Sequence, residues 1–131
     1  MPCGTVARNA LSDAEYGQAN EIAQELGGHF EGQVVDNTPG IDGFYEGMPA
    51  SLKSVQPGSK NSIKALANAV NTANRKALNA EKHGVYCFVS APGMTVAEIK
   101  QSARIPEILN DGQAALSKVS VRGSDGWVHF P

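Results

Sequence analysis

The chain has 131 residues, of which 41% are hydrophobic and 18% charged, and its formal net charge at pH 7 is −2. This length predicts one domain, residues 1–131, in which residues 1–11 are a candidate flexible N-terminal extension. No run approaches the roughly 20 apolar residues that cross a bilayer, and no leader resembles a signal peptide, so the sequence predicts a soluble domain without stable membrane insertion.

Capping residues and helical spacing predict the first element. In the stretch SDAEYGQANEIAQELGG, Ser12 is the expected N-cap, Glu15 closes a capping box, and Gly27 ends the helix. A glycine-rich loop follows, with a short strand at residues 33–35. The next elements are expected to form a hairpin, with a strand at 41–45, a turn at 46–49 and a strand at 50–55.

The second half of the chain continues this alternation. Residues 59–83 have apolar side chains at helical spacing, and residues 84–92 form an apolar run typical of a strand buried on both faces. A helix over 95–109, interrupted near Pro106, precedes two short strands within 118–130. The order α-β-β-α-β-α-β predicts an α/β sandwich with a mixed central sheet flanked by helices.

Cysteine and histidine usage argues against two classes of protein. Cys3 and Cys87 are too few for a disulfide framework, and Cys87 lies in the apolar run VYCFVSA, where a thiol usually packs as a small hydrophobe. The sequence contains no CxxC or HxxxH spacing, so a structural zinc site is not expected. The three histidines, His29, His83 and His129, are dispersed and are expected to be ordinary loop or strand residues.

Charge is strongly segregated along the chain. Residues 1–50 contain eight acids and one base, for a net charge of −7, whereas residues 51–82 contain six bases and one acid, for +5. The overall pI near 5.9 conceals this difference. The basic segment is consistent with a solvated helix face and equally with a surface that contacts phosphates.

The first candidate site residue is Glu15. At 3.6 residues per turn it falls among the apolar residues of the first helix, which are Ala19, Ile22, Ala23 and Leu26. One interpretation is that Glu15 only completes the capping box. The other is that its carboxylate points toward the sheet, where a buried charge needs a partner or a metal.

The hairpin GIDGFYEGMPASLKSV supplies the other candidates. Asp42 lies on its first strand, while Ser51 and Lys53 share one face of the second. Asp42 and Lys53 could form a surface ion pair worth less than about 1 kcal/mol. Together with Glu15, however, they form a hydrolytic constellation. Glu15 and Asp42 would be oxygen ligands of a hard cation, and Lys53 would orient a water or stabilise a phosphorane.

These residues resemble a known family. Glu15 on a helix, Asp42 on a hairpin strand and Ser51-Leu52-Lys53 on the next strand are similar to the PD-(D/E)xK restriction-endonuclease-like core. More narrowly, EYGQANEIAQELGG, GIDGFYEGMPASLKS and the lysine-rich helix resemble C-terminal toxin domains of bacterial contact-dependent growth inhibition proteins. The similarity covers roughly residues 12–100. It implies a PD-(D/E)xK-like sandwich.

The resemblance also implies a function. Such domains are nucleases, many cutting tRNA and some cutting DNA, and each is neutralised by a cognate immunity protein. The implied site contains Glu15, Asp42, Ser51 and Lys53, with a divalent metal, magnesium being the first candidate, on Glu15 and Asp42. The implied location is a secreted or cell-surface effector fragment that acts in the cytoplasm of a target bacterium.

The sequence departs from the family pattern at one position. Ser51 stands where the (D/E)xK element has an acid, and a hydroxyl is a weaker metal ligand than a carboxylate. We expect Ser51 to hydrogen-bond a ligand or phosphate oxygen instead. Glu46 shares strand parity with Asp42 and is a substitute ligand, although it lies at the turn.

Four basic residues are expected to track a phosphate backbone beside this site, namely Lys60, Lys64, Arg75 and Lys76. The single tryptophan, Trp127, is expected to pack in the core. The sequence therefore predicts a metal-assisted endonuclease acting on RNA, with tRNA favoured. The alternatives are a DNase toxin on the same fold, a restriction or repair-type nuclease without a toxin role, and a non-catalytic module whose basic helix binds an acidic protein.

Overall fold

The computed structural model describes residues 4–9, 11–32, 41–57 and 61–130. Within these ranges the chain forms seven strands and four helices. In chain order they are β1 (Thr5–Ala7), α1 (Asp13–Leu26), β2 (His29–Gly32), β3 (Gly43–Tyr45), β4 (Met48–Ser54), α2 (Ser62–Asn79), β5 (Val85–Ser90), α3 (Val96–Lys100), α4 (Arg104–Asn110), β6 (Leu116–Arg122) and β7 (Trp127–Phe130). None of these helices is long and apolar enough to cross a membrane.

All seven strands belong to one mixed sheet whose spatial order follows the chain order from β1 to β7. The pairs β1–β2, β4–β5 and β5–β6 are parallel, and the other three pairs are antiparallel. The predicted mixed α/β architecture is therefore confirmed. The predicted element order is not, because β1 and β2 precede the hairpin strands and the third helix is divided in two.

Two of the differences have simple physical causes. β1 and β2 contain only three and four residues, and β2 (HFEG) lacks the β-branched alternation by which a strand is recognised. β1 pairs with β2, so residues 5–7 of the expected N-terminal extension form an edge strand of the sheet. The strand expected at 33–35, together with Cys3 and Lys60, lies outside the described residues.

The sheet separates two hydrophobic clusters. α1 covers one face and packs Ala19 and Ile22 against even-numbered strand residues that include Leu52 and Phe88. α2, α3 and α4 cover the other face, where the strands contribute odd-numbered residues such as Cys87 and Val119. The side chains from Val85 to Val89 are all buried, which confirms that β5 is buried on both faces.

The helix ends follow the predicted capping chemistry. Ser12 and Glu15 form both hydrogen bonds of a capping box, and Thr95 forms a second capping box with Glu98. The break between α3 and α4 lies at residues 101–103 and not at Pro106. Pro106 instead occupies the first turn of α4, where a missing N–H removes no helical hydrogen bond.

The β3–β4 hairpin has a tighter turn than the four residues expected. Only Glu46 and Gly47 connect the strands, and both have positive φ (49° and 82°), as a type I′ turn requires. Met48 and Pro49 therefore belong to β4. The amide of Glu46 donates to His29 O (2.8 Å), which holds the turn against the start of β2.

Gly43 should not tolerate a side chain. A Cβ at this position would lie 2.5 Å from Glu31 O and 2.8 Å from the Phe30 ring, and Glu31 O is backbone that cannot rotate away. We expect Gly43→Ala to lower the unfolding free energy by about 1–3 kcal/mol, measured by urea denaturation. Gly17→Ala is the matched control, because nothing lies within 4 Å of its Cβ and alanine favours the helix by roughly 0.5–1 kcal/mol. Equal effects would contradict this close packing.

Candidate active site

Asp42 lies where the β3–β4 ladder ends. The last pair of the ladder is Gly43 and Ala50, and the Asp42 amide donates to Ala50 O (2.8 Å). Its carboxylate Oδ2 accepts a hydrogen bond from the amide of Leu52 (2.7 Å). Because backbone N–H groups lie in the plane of a sheet, this bond holds the carboxylate between the strands, where groups from either face can approach it.

Glu15 approaches Asp42 from α1. Glu15 Oε1 accepts from the amide of Ser12 (2.9 Å), and the same carboxyl group is in hydrogen-bonding contact with the carboxyl group of Asp42. Both side chains are half-buried. The capping role and the site role of Glu15 are therefore compatible, because a carboxylate has two oxygens.

The environment of Asp42 favours its protonated form. Burial is the main cause of its raised pKa, and the charge and hydrogen bond of Glu15 raise this pKa further. The hydrogen bond from Leu52 and the positive charge of Lys53 oppose the shift. Two carboxyl groups in contact are stable when a proton or a cation lies between them.

Lys53 lies on the other side of Asp42. In β4 it is paired with Val89 of β5, so its side chain leaves the sheet toward α2 and is half-buried there. Its charge acts on Asp42 and on Cys87, which is completely buried in the neighbouring strand. Burial raises the pKa of the Cys87 thiol to about 12, so Cys87 stays a neutral thiol beneath the site.

Ser51 is not at the surface of this site. Its side chain is completely buried, and its Oγ has no hydrogen-bond partner among the described residues. It also does not line the adjacent cleft. Direct contact of Ser51 with a substrate phosphate, as the sequence suggested, does not fit this burial.

A cleft of ≈ 420 Å³ opens beside these residues, between the first half of α1 and the carboxyl ends of β4 and β5. Glu15, Lys53 and Ser90 are among its lining residues. Gln18 fixes the helix at this position, since its Nε2 donates to Lys53 O (3.0 Å) and Phe88 O (3.2 Å). The carboxyl ends of parallel strands are the usual place for a ligand site in an open α/β sheet.

The basic residues of α2 face solvent. Lys64, Arg75 and Lys76 are all exposed, while Leu66 and Val70 face the sheet. Lys64 and Arg75 are eleven residues apart, which places them on one side of the helix about 16 Å from each other. α2 runs back from the end of β4 to the start of β5, so Lys64 lies at the cleft end and Arg75 and Lys76 at the far end.

The donor set fits a hard cation that takes few of its ligands from the protein and the rest from water. The described residues contain no group of three His, Cys, Asp or Glu side chains able to hold a metal. Glu15 and Asp42 supply two carboxylates, and Mg²⁺ is commonly held by one or two carboxylates together with several waters. Glu46, the substitute ligand, lies at the hairpin turn beside Gly28, and no described contact joins it to Asp42.

Sequence reasoning missed Gln18, Arg122 and the contacts of His129. Arg122 forms an ion pair with Glu21, and His129 contacts Glu25 (3.1 Å) and Ser120 (2.7 Å). Glu21 and Arg122, like Glu25 and His129, are about 100 residues apart in the chain, whereas Ser120 and His129 are nine apart on paired strands. No local pattern signals such contacts.

Comparison of the chain with protein-family models, with curated proteins and with solved structures gives no match. The kind of site must therefore be inferred from its geometry alone. The site consists of a carboxylate pair beside a lysine, at an open cleft on a mixed α/β sheet.

Asp42 should make the stability of the protein depend on pH in an unusual direction. Its folded-state pKa lies above the ordinary value of 3.8, so the folded protein retains a proton that the unfolded chain releases. Its contribution to stability therefore falls as the pH rises through 3.8 to the folded-state pKa, and stays low above it. We expect Asp42→Asn to be more stable than wild type at about pH 7, by on the order of 1 kcal/mol, and to lose this advantage near pH 4.

Urea denaturation at both pH values measures this difference. The control is Asp111→Asn, because Asp111 is exposed and also accepts one backbone hydrogen bond, from Gln113. A stability gain of the same size in the control at about pH 7 would contradict an effect of the Glu15–Asp42 pair.

Proposed function

We propose that the protein is a nuclease toxin domain of the PD-(D/E)xK type that hydrolyses phosphodiester bonds in RNA, with tRNA the favoured substrate. The observation that supports this most strongly is the contact between Glu15 and Asp42 beside Lys53 at an open cleft. Two carboxyl groups in contact at half-buried positions are costly to a fold. Such a pair is most easily understood where a function requires it.

Each group has a defined role in this proposal. Glu15 and Asp42 would hold a divalent cation, with magnesium the first candidate, and this cation would supply charge neutralisation and an acidified water. Lys53 places a positive charge where negative charge accumulates on the phosphorus substituents. In the reaction a water attacks phosphorus and gives up a proton to solvent, the bond from phosphorus to the leaving sugar oxygen breaks, and that oxygen takes up a proton from solvent. The hydrogen bond from the Leu52 amide holds the Asp42 carboxylate in position for its role as a metal ligand.

Substrate binding would use the basic side of α2. Lys64 lies at the cleft end of this helix, and Arg75 follows on the same side, so a phosphate backbone could run along it. Lys60 lies outside the described residues, and its proposed contact with the same phosphate backbone comes from the sequence alone. The acidic N-terminal half is then available to a different partner, which we propose is a cognate immunity protein. The setting is an effector that acts in the cytoplasm of a target bacterium.

The test is cleavage of total cellular RNA and, separately, of plasmid DNA by the purified protein. Each reaction is run with magnesium, with EDTA and with Asp42→Asn, and is read on a denaturing gel. Loss of tRNA-sized bands that needs magnesium and Asp42 is the expected result. Plasmid cleavage with intact RNA would indicate a DNase. If neither substrate changes, the nuclease proposal fails and the non-catalytic binding module takes its place.

A further inference from the structure

The last residues of three parallel strands form a row along one edge of the sheet. Ser54 of β4 is in register with Ser90 of β5, which is in register with Arg122 of β6. Arg122 is paired in turn with Trp127, the first residue of β7. Neighbouring strands are about 4.8 Å apart, so the row spans roughly 14 Å. These side chains share the face of the sheet that α1 covers.

Three adjoining cavities follow this row. The cleft beside Glu15 is lined by Ser90, a second cavity of ≈ 310 Å³ by Ser90 and Arg122, and a third of ≈ 150 Å³ by Arg122 and Trp127. Glu21 of α1 lines all three. We call this continuous depression the edge groove. It connects the candidate active site to the only tryptophan of the chain.

Arg122 is the basic residue that lines the second and third cavities, and its present partner, Glu21, is replaceable. It forms an ion pair with Glu21, and the two side chains are 45% and 35% exposed. Ion pairs this exposed contribute little to stability, so exchange for another anion costs little. A guanidinium binds a phosphate through two parallel hydrogen bonds, which an ammonium cannot do.

Trp127 offers an aromatic surface beside Arg122. It packs partly against the core of the α1 face, yet it also lines the third cavity. Its position is well supported, because its ring stacks on that of His129 (5.9 Å between centroids). A rigid indole at the edge of a groove suits stacking on an unpaired base.

His129 is itself anchored from both sides. Its Nε2 contacts Glu25 of α1 (3.1 Å), and its Nδ1 contacts the buried Ser120 hydroxyl (2.7 Å). Ser120 in turn contacts the hydroxyl of Tyr86 (2.7 Å). This chain of hydrogen bonds fixes β7 relative to α1, so the groove is formed before any ligand arrives.

We propose that Arg122 and Trp127 form a nucleotide subsite for single-stranded RNA at the far end of the edge groove. Arg122 releases Glu21 and binds a backbone phosphate, and a neighbouring base stacks on Trp127. This subsite rests on the proposed function, because it would bind the part of the RNA chain that continues beyond the cut site. Glu21 then acts as an internal competitor that only a polyanion at sufficient local concentration displaces.

Binding of a fluorescein-labelled single-stranded oligoribonucleotide to the Asp42→Asn protein tests the subsite without cleavage. In this background Arg122→Gln should weaken binding about tenfold. The slope of log affinity against log salt concentration should become shallower by about the amount expected for one phosphate contact. Trp127→Leu should weaken it roughly fivefold or more, and Trp127→Phe less. Glu21→Gln should tighten it a few-fold, since the competitor is removed. Arg104→Gln removes the same charge from α4, on the other face of the sheet, and should change affinity less than about twofold.

Intrinsic fluorescence supplies a second readout. Trp127 is the only tryptophan, so quenching of its emission by unlabelled RNA, lost in Arg122→Gln, reports the subsite directly. Unquenched emission, with Arg122→Gln and Arg104→Gln binding RNA equally, would overturn the subsite while leaving the nuclease proposal intact. Absence of any RNA binding by all these proteins, with no cleavage by wild type, would overturn both.

Discussion

The Asp42→Asn variant is expected to lose RNA cleavage by about 10³-fold while unfolding at a higher temperature than wild type. The amide keeps the hydrogen-bond acceptor for the Leu52 amide, so the hairpin is preserved. It removes the carboxylate charge that Glu15 faces, and with it one of the two ligands of the proposed cation. Opposite changes in activity and stability are the signature of a strained functional site.

Thermal unfolding with and without magnesium separates metal binding from turnover. A ligand that binds only the folded state stabilises it by about 2.7 kcal/mol at 100 times its dissociation constant, and by less at lower ratios. Wild type should therefore gain melting temperature on addition of magnesium, while Asp42→Asn should gain much less. Asp111→Asn should behave as wild type in both assays, because its carboxylate is exposed and its hydrogen bond within the described residues is accepted from the nearby Gln113 amide. Equal magnesium shifts in wild type and Asp42→Asn would remove Asp42 from the metal site.

The sequence predicted the proximity of Glu15, Asp42 and Lys53 better than the order of the strands around them. Glu15 could be placed because a capping box and an amphipathic helix both fix its angular position. Asp42 and Lys53 could be placed near each other because a hairpin is a local structure. The turn itself was predicted two residues too long, since Met48 and Pro49 were expected in the turn and are instead the first residues of β4, paired with Tyr45 and Phe44.

What the sequence could not supply is long-range contact. Gln18 joins α1 to β5 across seventy residues, and Glu21 meets Arg122 across about a hundred. A glutamine or an arginine on an exposed helix or strand position carries no local signal of such a partner. Ser51 shows the converse error, because a residue matched to a motif position turned out to be completely buried. Motif spacing fixes the strand and its face, whereas burial depends on which helix covers that face.

Lys53→Met should separate the contribution of the Lys53 charge to cleavage from metal binding by the two carboxylates. Methionine preserves the length and packing of the lysine stem but removes the ammonium, so cleavage should fall about 10²–10³-fold. Magnesium should still stabilise this variant to thermal unfolding, because Glu15 and Asp42 remain. Lys53→Arg keeps the charge but not its compact shape, and it should retain RNA affinity with only part of the activity.

The decisive comparison is between Lys53→Met and Asp42→Asn in the same three assays, namely cleavage, RNA binding and magnesium-dependent melting. If both groups serve hydrolysis, the two variants lose cleavage alike, and only Asp42→Asn loses the magnesium response. Full cleavage by Lys53→Met would exclude Lys53 from the chemistry and leave a carboxylate-only site. Loss of folding in Lys53→Met alone would assign Lys53 a structural role, in which its charge balances Asp42 above the neutral Cys87 thiol.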